Sequence, residues 1–146
     1  MELQASYTLD STVETVDHAE EQANRIATEM GFGEEEIMQI CMAVREGAVN
    51  AVLHGNNYAP DKKVTLGFER TDVGLVVTIR DQGHGIDLNC IPNPLAPENL
   101  LKTSGRGIFL MRSFMDEVEI RPSKTGTEVK LIKHVPGASA DKEASQ

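Results

Sequence analysis

A carboxylate, a carboxamide and an imidazole recur at four-residue intervals, as Glu46, Asn50 and His54, within the stretch Met42–Asn56, MAVREGAVNAVLHGN. An α-helix advances about 100° per residue and brings positions four apart onto one face, so the three would form a polar row. Ile37, Ile40, Cys41, Val44, Ala48 and Ala51 make the opposite stripe, and Met42, Val49 and Leu53 flank the row. A helix apolar on nearly two sides is largely buried, which would turn the row toward a cleft. Two further clusters sit at element ends: Asp81-Gln-Gly-His-Gly after a strand-like run, and Gly105-Arg-Gly before a helical one. A buried Asp at a strand end can accept a hydrogen bond from an exocyclic amine. Glycine N–H groups at a helix start form an anion site and let a phosphate approach the backbone closely. A carboxamide beside a carboxylate suits Mg²⁺, which takes few protein ligands when phosphates supply the rest. Taken singly, the row also reads as the solvated edge of an amphipathic helix. The Asp-Gly pair also reads as a plain turn, and the later glycines as a flexible helix entry.

The elements that must position these groups follow from periodicity. Leu3, Ala5, Tyr7 and Leu9 alternate with polar residues and predict a first strand with one buried face. Ser11 or Thr12 offers an N-cap to a helix carrying Val16, Ala19, Ala23, Ile26, Ala27 and Met30, ended by Gly31. Glu34, Glu35 and Glu36 suit the positive end of the next helix, predicted to run to about Gly55. Val64, Leu66, Phe68 and then Leu75, Val77, Ile79 predict two strands joined as an antiparallel hairpin. Leu88–Thr103, rich in Pro and Asn, has no periodicity and reads as a long loop of the kind that forms functional lids. Ile108, Phe109, Met111 and Met115 predict a short helix; Val118 with Ile120, and Thr127 with Val129 and Leu131, predict two strands. The order is β-α-α-β-β-α-β-β, an α+β two-layer sandwich whose mixed, mostly antiparallel sheet carries its helices on one face. One domain would span residues 1–134, with 135–146 a disordered polar tail.

Composition narrows the function classes. The chain of 146 residues can bury one core without staples. Its net charge of −9 argues against direct nucleic-acid binding and leaves open a protein partner with a basic face. Cys41 and Cys90 lack metal or disulfide spacing, and Cys41 falls on the apolar face as a small core residue. Neither a signal peptide nor a membrane-length apolar run is present, so a cytoplasmic protein with no membrane association is expected.

Together, Glu-x-x-x-Asn on a helix, Asp-x-Gly-x-Gly after a strand, Gly-x-Gly opening a helix and Gly-Thr on the last strand resemble the GHKL ATPase superfamily. That group includes gyrase, Hsp90, histidine kinases and MutL, which share the Bergerat ATP-binding fold. REGAVNAVLHGN and SGRGIFLMRSFMDEVEI more closely resemble the anti-sigma factor serine kinases of Gram-positive stress and sporulation switches, over roughly Leu3–His134.

The resemblance implies ATP and Mg²⁺ as cofactors, with Asn50 the metal ligand and Glu46 the general base that receives or orients a seryl hydroxyl. Asp81 would bind the adenine amino group, supported through water by Thr127, with Gly83 and Gly85 letting the backbone pass close to the nucleotide. Ser104, Gly105, Arg106 and Gly107 would cradle the phosphates beneath the lid, with His54 and Lys102 nearby. A structural or solvent-exposed role fits His54 and Lys102 equally. Arg45 acquires no role, and His84 between the motif glycines would face solvent.

The implied partners are a sigma factor and an anti-anti-sigma protein of the STAS type, and the implied assembly is a homodimer. A competing reading is a non-catalytic module in which nucleotide only switches partner choice; Glu46 weighs against it, since pure binding needs no carboxylate there. A histidine kinase fits poorly, because His18 stands alone in the first helix with no dimerisation helix pair before it.

Overall fold

The computed structural model describes residues 2–83 and 103–135, without the side chains of 2–4 and 103–106. In order, the elements are β1 (Glu2–Asp10), α1 (Val13–Glu29), α2 (Glu34–Val49), a π-helical segment (Asn50–Gly55), β2 (Lys63–Arg70) and β3 (Gly74–Arg80). They are followed by α3 (Thr103–Phe114), β4 (Glu117–Ser123) and β5 (Gly126–His134). The element order is the one periodicity predicts. The strands form one five-stranded sheet in the order β1-β2-β3-β5-β4. Every neighbouring pair is antiparallel.

Alternation decides the layers. Val64, Leu66 and Phe68 on β2, Leu75, Val77 and Ile79 on β3, and Val129 and Leu131 on β5 are buried. Thr65, Arg80, Glu119 and Arg121 on the opposite face are exposed. Ile26 of α1, Ile40 and Val44 of α2 and Met111 of α3 close the core from the helical side. Each such fully buried side chain contributes about 1.5–3 kcal/mol. Gly47 lets α2 approach the sheet: a Cβ there would lie 2.6 Å from Ile79 Cδ1.

Local signals set the helix ends. Thr12, rather than Ser11, caps α1, its Oγ1 accepting from Thr15 N at 3.4 Å. Gly31 at φ +87° ends that helix. Glu36 Oε1 accepts from Gly33 N at 3.3 Å at the start of α2. Met42, expected to flank a buried row, is 41% exposed. Cys41 is a buried free thiol whose pKa burial pushes up, in keeping with a core residue. Val135, the first residue of the expected tail, donates to Val73 O at 2.8 Å and packs on the core. Among the described residues no helix is long and apolar enough to cross a membrane.

Candidate nucleotide site

The polar row begins on an α-helix and continues on another kind of helix. Glu46, half-buried, belongs to the last turn of α2; at Asn50 the ladder loosens into the π segment. Here Asn56 N–H reaches Ala51 O at 2.8 Å, five residues back. This i→i+5 spacing widens the helix over the end of the predicted row. His54 is exposed and lines a cavity with Leu53, Gly55, Asn56 and Lys62, whereas Glu46 is half-buried and Asn50 buried. Asn50 stays inside, 5% exposed, and its Oδ1 is buried without a hydrogen-bond partner.

Helix α3 runs antiparallel to α2 and seals this end. Lys133 Nζ donates to Gln39 Oε1 at 2.9 Å and to Phe114 O at 2.6 Å, joining the end of α3 to the start of α2. At the other end Gly107 lies on the polar row. A Cβ there would be 3.0 Å from Glu46 Oε2 and 3.4 and 3.6 Å from Asn50 Nδ2 and Oδ1. Because α3 begins at Thr103, Ser104, Gly105 and Arg106 lie inside its first turn instead of preceding it. The first N–H groups of a helix have no intrahelical acceptor and carry the positive end of its dipole. Gly107, just past this first turn, is the residue of α3 that adjoins Glu46 and Asn50.

Asp81, 5% exposed, stands where β3 ends. Its Oδ1 accepts from Gly83 N and Thr127 N, both at 3.0 Å. Its own N–H donates to Thr127 O at 3.0 Å. Its Oδ2 faces Gly55, where a Cβ would lie 2.2 Å away. Gly83 rests on the same spot: a Cβ on it would fall 2.0 Å from Gly55 O. Burial pushes the Asp81 carboxyl above its ordinary 3.8, opposed by the Gly83 and Thr127 bonds and by the charge of Lys62. Both N–H bonds fall on Oδ1, so Oδ2 carries neither of them.

The structure therefore brings Glu46, Asn50 and Gly107 together at one end, and Asp81, Gly83 and Thr127 at the other, with the π segment between them. Gly85, Lys102, His84 and Cys90 lie outside the described residues. Arg45 has a structural partner set, bonding Asp17 at 3.0 Å and Glu20 at 2.8 Å and so tying α2 to α1. Sequence reading takes Gly55 and Asn56 as turn residues and gives Lys62 no role. Their only signal was position, directly after the motif helix.

Among the described residues no three His, Cys, Asp or Glu side chains gather to hold a metal. A divalent ion here would rely on Asn50 and on ligand oxygens, as Mg²⁺ does beside phosphates. The unpartnered, buried Asn50 Oδ1 fits that role.

Residues 9–133 match the family model described as the histidine kinase-like ATPase domain. The anti-sigma F factor of Bacillus velezensis is 38% identical over 111 residues, covering 73% of this chain and 75% of its own. The serine-protein kinase RsbW of Oceanobacillus iheyensis is 29% identical over 127 residues, covering 83% and 80%. Among solved structures, the RsbU and RsbW domains of Rv1364c from Mycobacterium tuberculosis superpose with a TM-score of 0.64 at 18% identity. That match covers 89% of this chain and 32% of the other. The histidine kinase domain of the Erythrobacter litoralis blue-light activated kinase gives 0.58 at 20% identity, over 86% and 67%. These two structural likenesses speak to the fold.

Proposed function

The chain belongs to the histidine kinase-like ATPase family, and on that premise we propose that it is an ATP-dependent anti-sigma factor protein serine kinase. It would phosphorylate a Ser or Thr of an anti-anti-sigma partner of the STAS type, sequester a sigma factor as the other arm of the switch, and work as a homodimer. One observation carries the catalytic half: Glu46 Oε2 lies at Gly107, beside Asn50 and the start of α3, where no binding role requires a carboxylate.

ATP would lie with its adenine amine on Asp81 Oδ2 and its phosphates at the first turn of α3, under Gly105, Arg106 and Gly107. Mg²⁺, held by Asn50 Oδ1, would neutralise phosphate charge. Transfer forms a bond from the partner's hydroxyl oxygen to the γ-phosphorus and breaks that phosphorus's bond to the β–γ bridging oxygen. ADP leaves, and Glu46 takes the hydroxyl proton. Phosphoryl transfer asks mainly for positioning and charge stabilisation, and a general base adds a factor of about 10² to 10⁴.

The test is incubation with γ-labelled ATP, Mg²⁺ and a single-domain STAS protein. Label on a partner Ser or Thr, reduced about 10² to 10⁴-fold in Glu46→Gln while ATP still binds, supports the kinase. ATP-dependent association with no transfer to the partner would replace it with a nucleotide-switched binding module.

A further inference from the structure

Asn56 is 1% exposed, just past the π segment. Its Nδ2 donates to Ser11 Oγ and to Lys63 O, both at 2.9 Å, and its Oδ1 accepts from Gln82 N at 2.7 Å. The three partners come from the end of β1, the start of β2 and the turn after β3. Two more bonds brace the same knot: Ser11 Oγ donates to Lys62 O and Lys63 N donates to Gln82 Oε1, both at 2.6 Å. Gln82 lies between Asp81 and Gly83, whose N–H groups and carboxylate make the base end of the cleft.

We infer that Asn56 is a positioning residue for adenine recognition, its carboxamide setting the Asp81–Gly83 turn so that Asp81 Oδ2 faces the base. The backbone N–H of Gln82 is held on Asn56 Oδ1, so the peptide that leads from Asp81 to Gly83 cannot rotate freely. Gly83 N–H thereby stays on Asp81 Oδ1. The other oxygen is then reserved for an amine donor. Released from Asn56, the turn can rotate, Gly83 N–H can move to either oxygen, and preference for a 6-aminopurine over a 6-oxopurine falls. The metal and phosphate end, built from Glu46, Asn50 and Gly107, makes no bond to Asn56 among the described residues. This inference rests on the reading of Asp81 as the adenine-binding carboxylate.

The experiment measures ADP and GDP affinity, without metal, for the wild-type chain and for Asn56→Ala, Asn56→Asp and Asp81→Asn. Asn56→Asp preserves shape and the acceptor for Gln82 N but loses both donors. Asn56→Ala, which releases Gln82 N, should weaken ADP by at least about tenfold, the worth of roughly one hydrogen bond, with GDP unchanged, and Asn56→Asp, which keeps that acceptor, should weaken it less. Val64→Ala, a core truncation that lowers thermal stability without touching the turn, should leave the ADP-to-GDP ratio as it is. A folded Asn56→Ala chain with the wild-type ratio overturns the inference, as does an Asn56→Asp chain that loses ADP as fully as Asn56→Ala. An Asp81→Asn chain that keeps its ADP preference overturns the reading beneath it, and the inference with it. Should Asn56→Ala not fold, Ser11→Ala decides, because it removes one acceptor of Asn56 Nδ2. A fall of about threefold in the ratio supports the assignment, as expected for half a hydrogen bond, and no change sinks it.

Discussion

The two ends of the cleft are built on opposite principles. At the base end, every polar group described on Asp81 Oδ1, Asn56 and Thr127 N is engaged by the protein itself. At the phosphate end, Asn50 Oδ1 is buried and unpartnered, and Glu46 is half-buried against a glycine. An unmade buried hydrogen bond costs about 1–3 kcal/mol. The base end is thus finished before a ligand arrives, while the phosphate end stores a cost that a cation would relieve. On the proposed reading, selectivity for the base would belong to the rigid end, and chemistry to the end that stability leaves incomplete.

Four measurements sharpen or break this contrast. The largest effect is expected from Asp81→Asn, which places a donor where the base amine also donates. ATP and ADP affinity should fall by about 100-fold or more, while thermal stability holds or rises because a buried charge is gone. Retained micromolar binding by calorimetry would remove Asp81 from the base site.

Asn50→Ala should show the reverse asymmetry. The Mg²⁺-dependent gain in ATP affinity should be lost, with ADP binding in EDTA nearly unchanged, and melting temperature should not drop by the amount usual for a buried polar truncation. A large drop in melting temperature with the Mg²⁺ effect intact would make Asn50 an ordinary structural residue.

The third measurement is a pH titration. Burial raises the Asp81 carboxyl above 3.8, so its ionised form is penalised in the folded state. That penalty is present above the raised pKa and is relieved as pH falls through it, so Asp81 itself does not contribute to acid unfolding. Binding behaves oppositely. Oδ1 is taken by two N–H groups, so the proton goes to Oδ2 and removes the acceptor. ADP affinity should therefore fall with a midpoint above pH 3.8 while circular dichroism still reports a folded chain. Affinity that is flat until unfolding would contradict the assigned role of Oδ2.

The smallest effect is expected at Arg45, which lies outside both ends. Arg45→Ala removes two partly exposed ion pairs, worth about 0.2–1 kcal/mol, and should leave nucleotide affinity unchanged. A shift in ATP affinity would show that the α1–α2 junction bears on the cleft.

Much of this was readable from the chain alone. The strand alternation at Val64–Phe68 and Leu75–Ile79, the apolar stripe of α2 and the turn after β3 are local patterns, and local patterns survive in sequence because neighbouring side chains must share a face. The order of the motifs along the chain was enough to suggest the family. Three features belong to tertiary structure. The π register at Asn50–Gly55 accompanies the close approach of Asp81 and Gly83 to Gly55, residues far away in the chain, and His54 on this segment is exposed. Glycines 105 and 107 enter the helix because α3 docks along α2, where Gly107 must fit over Glu46 and Asn50. Asn56 reads as one more turn residue until β1, β2 and the Asp81 turn converge on its carboxamide. Periodicity assigns faces, and hydrogen-bond partners separated by dozens of residues are chosen only when the sheet closes.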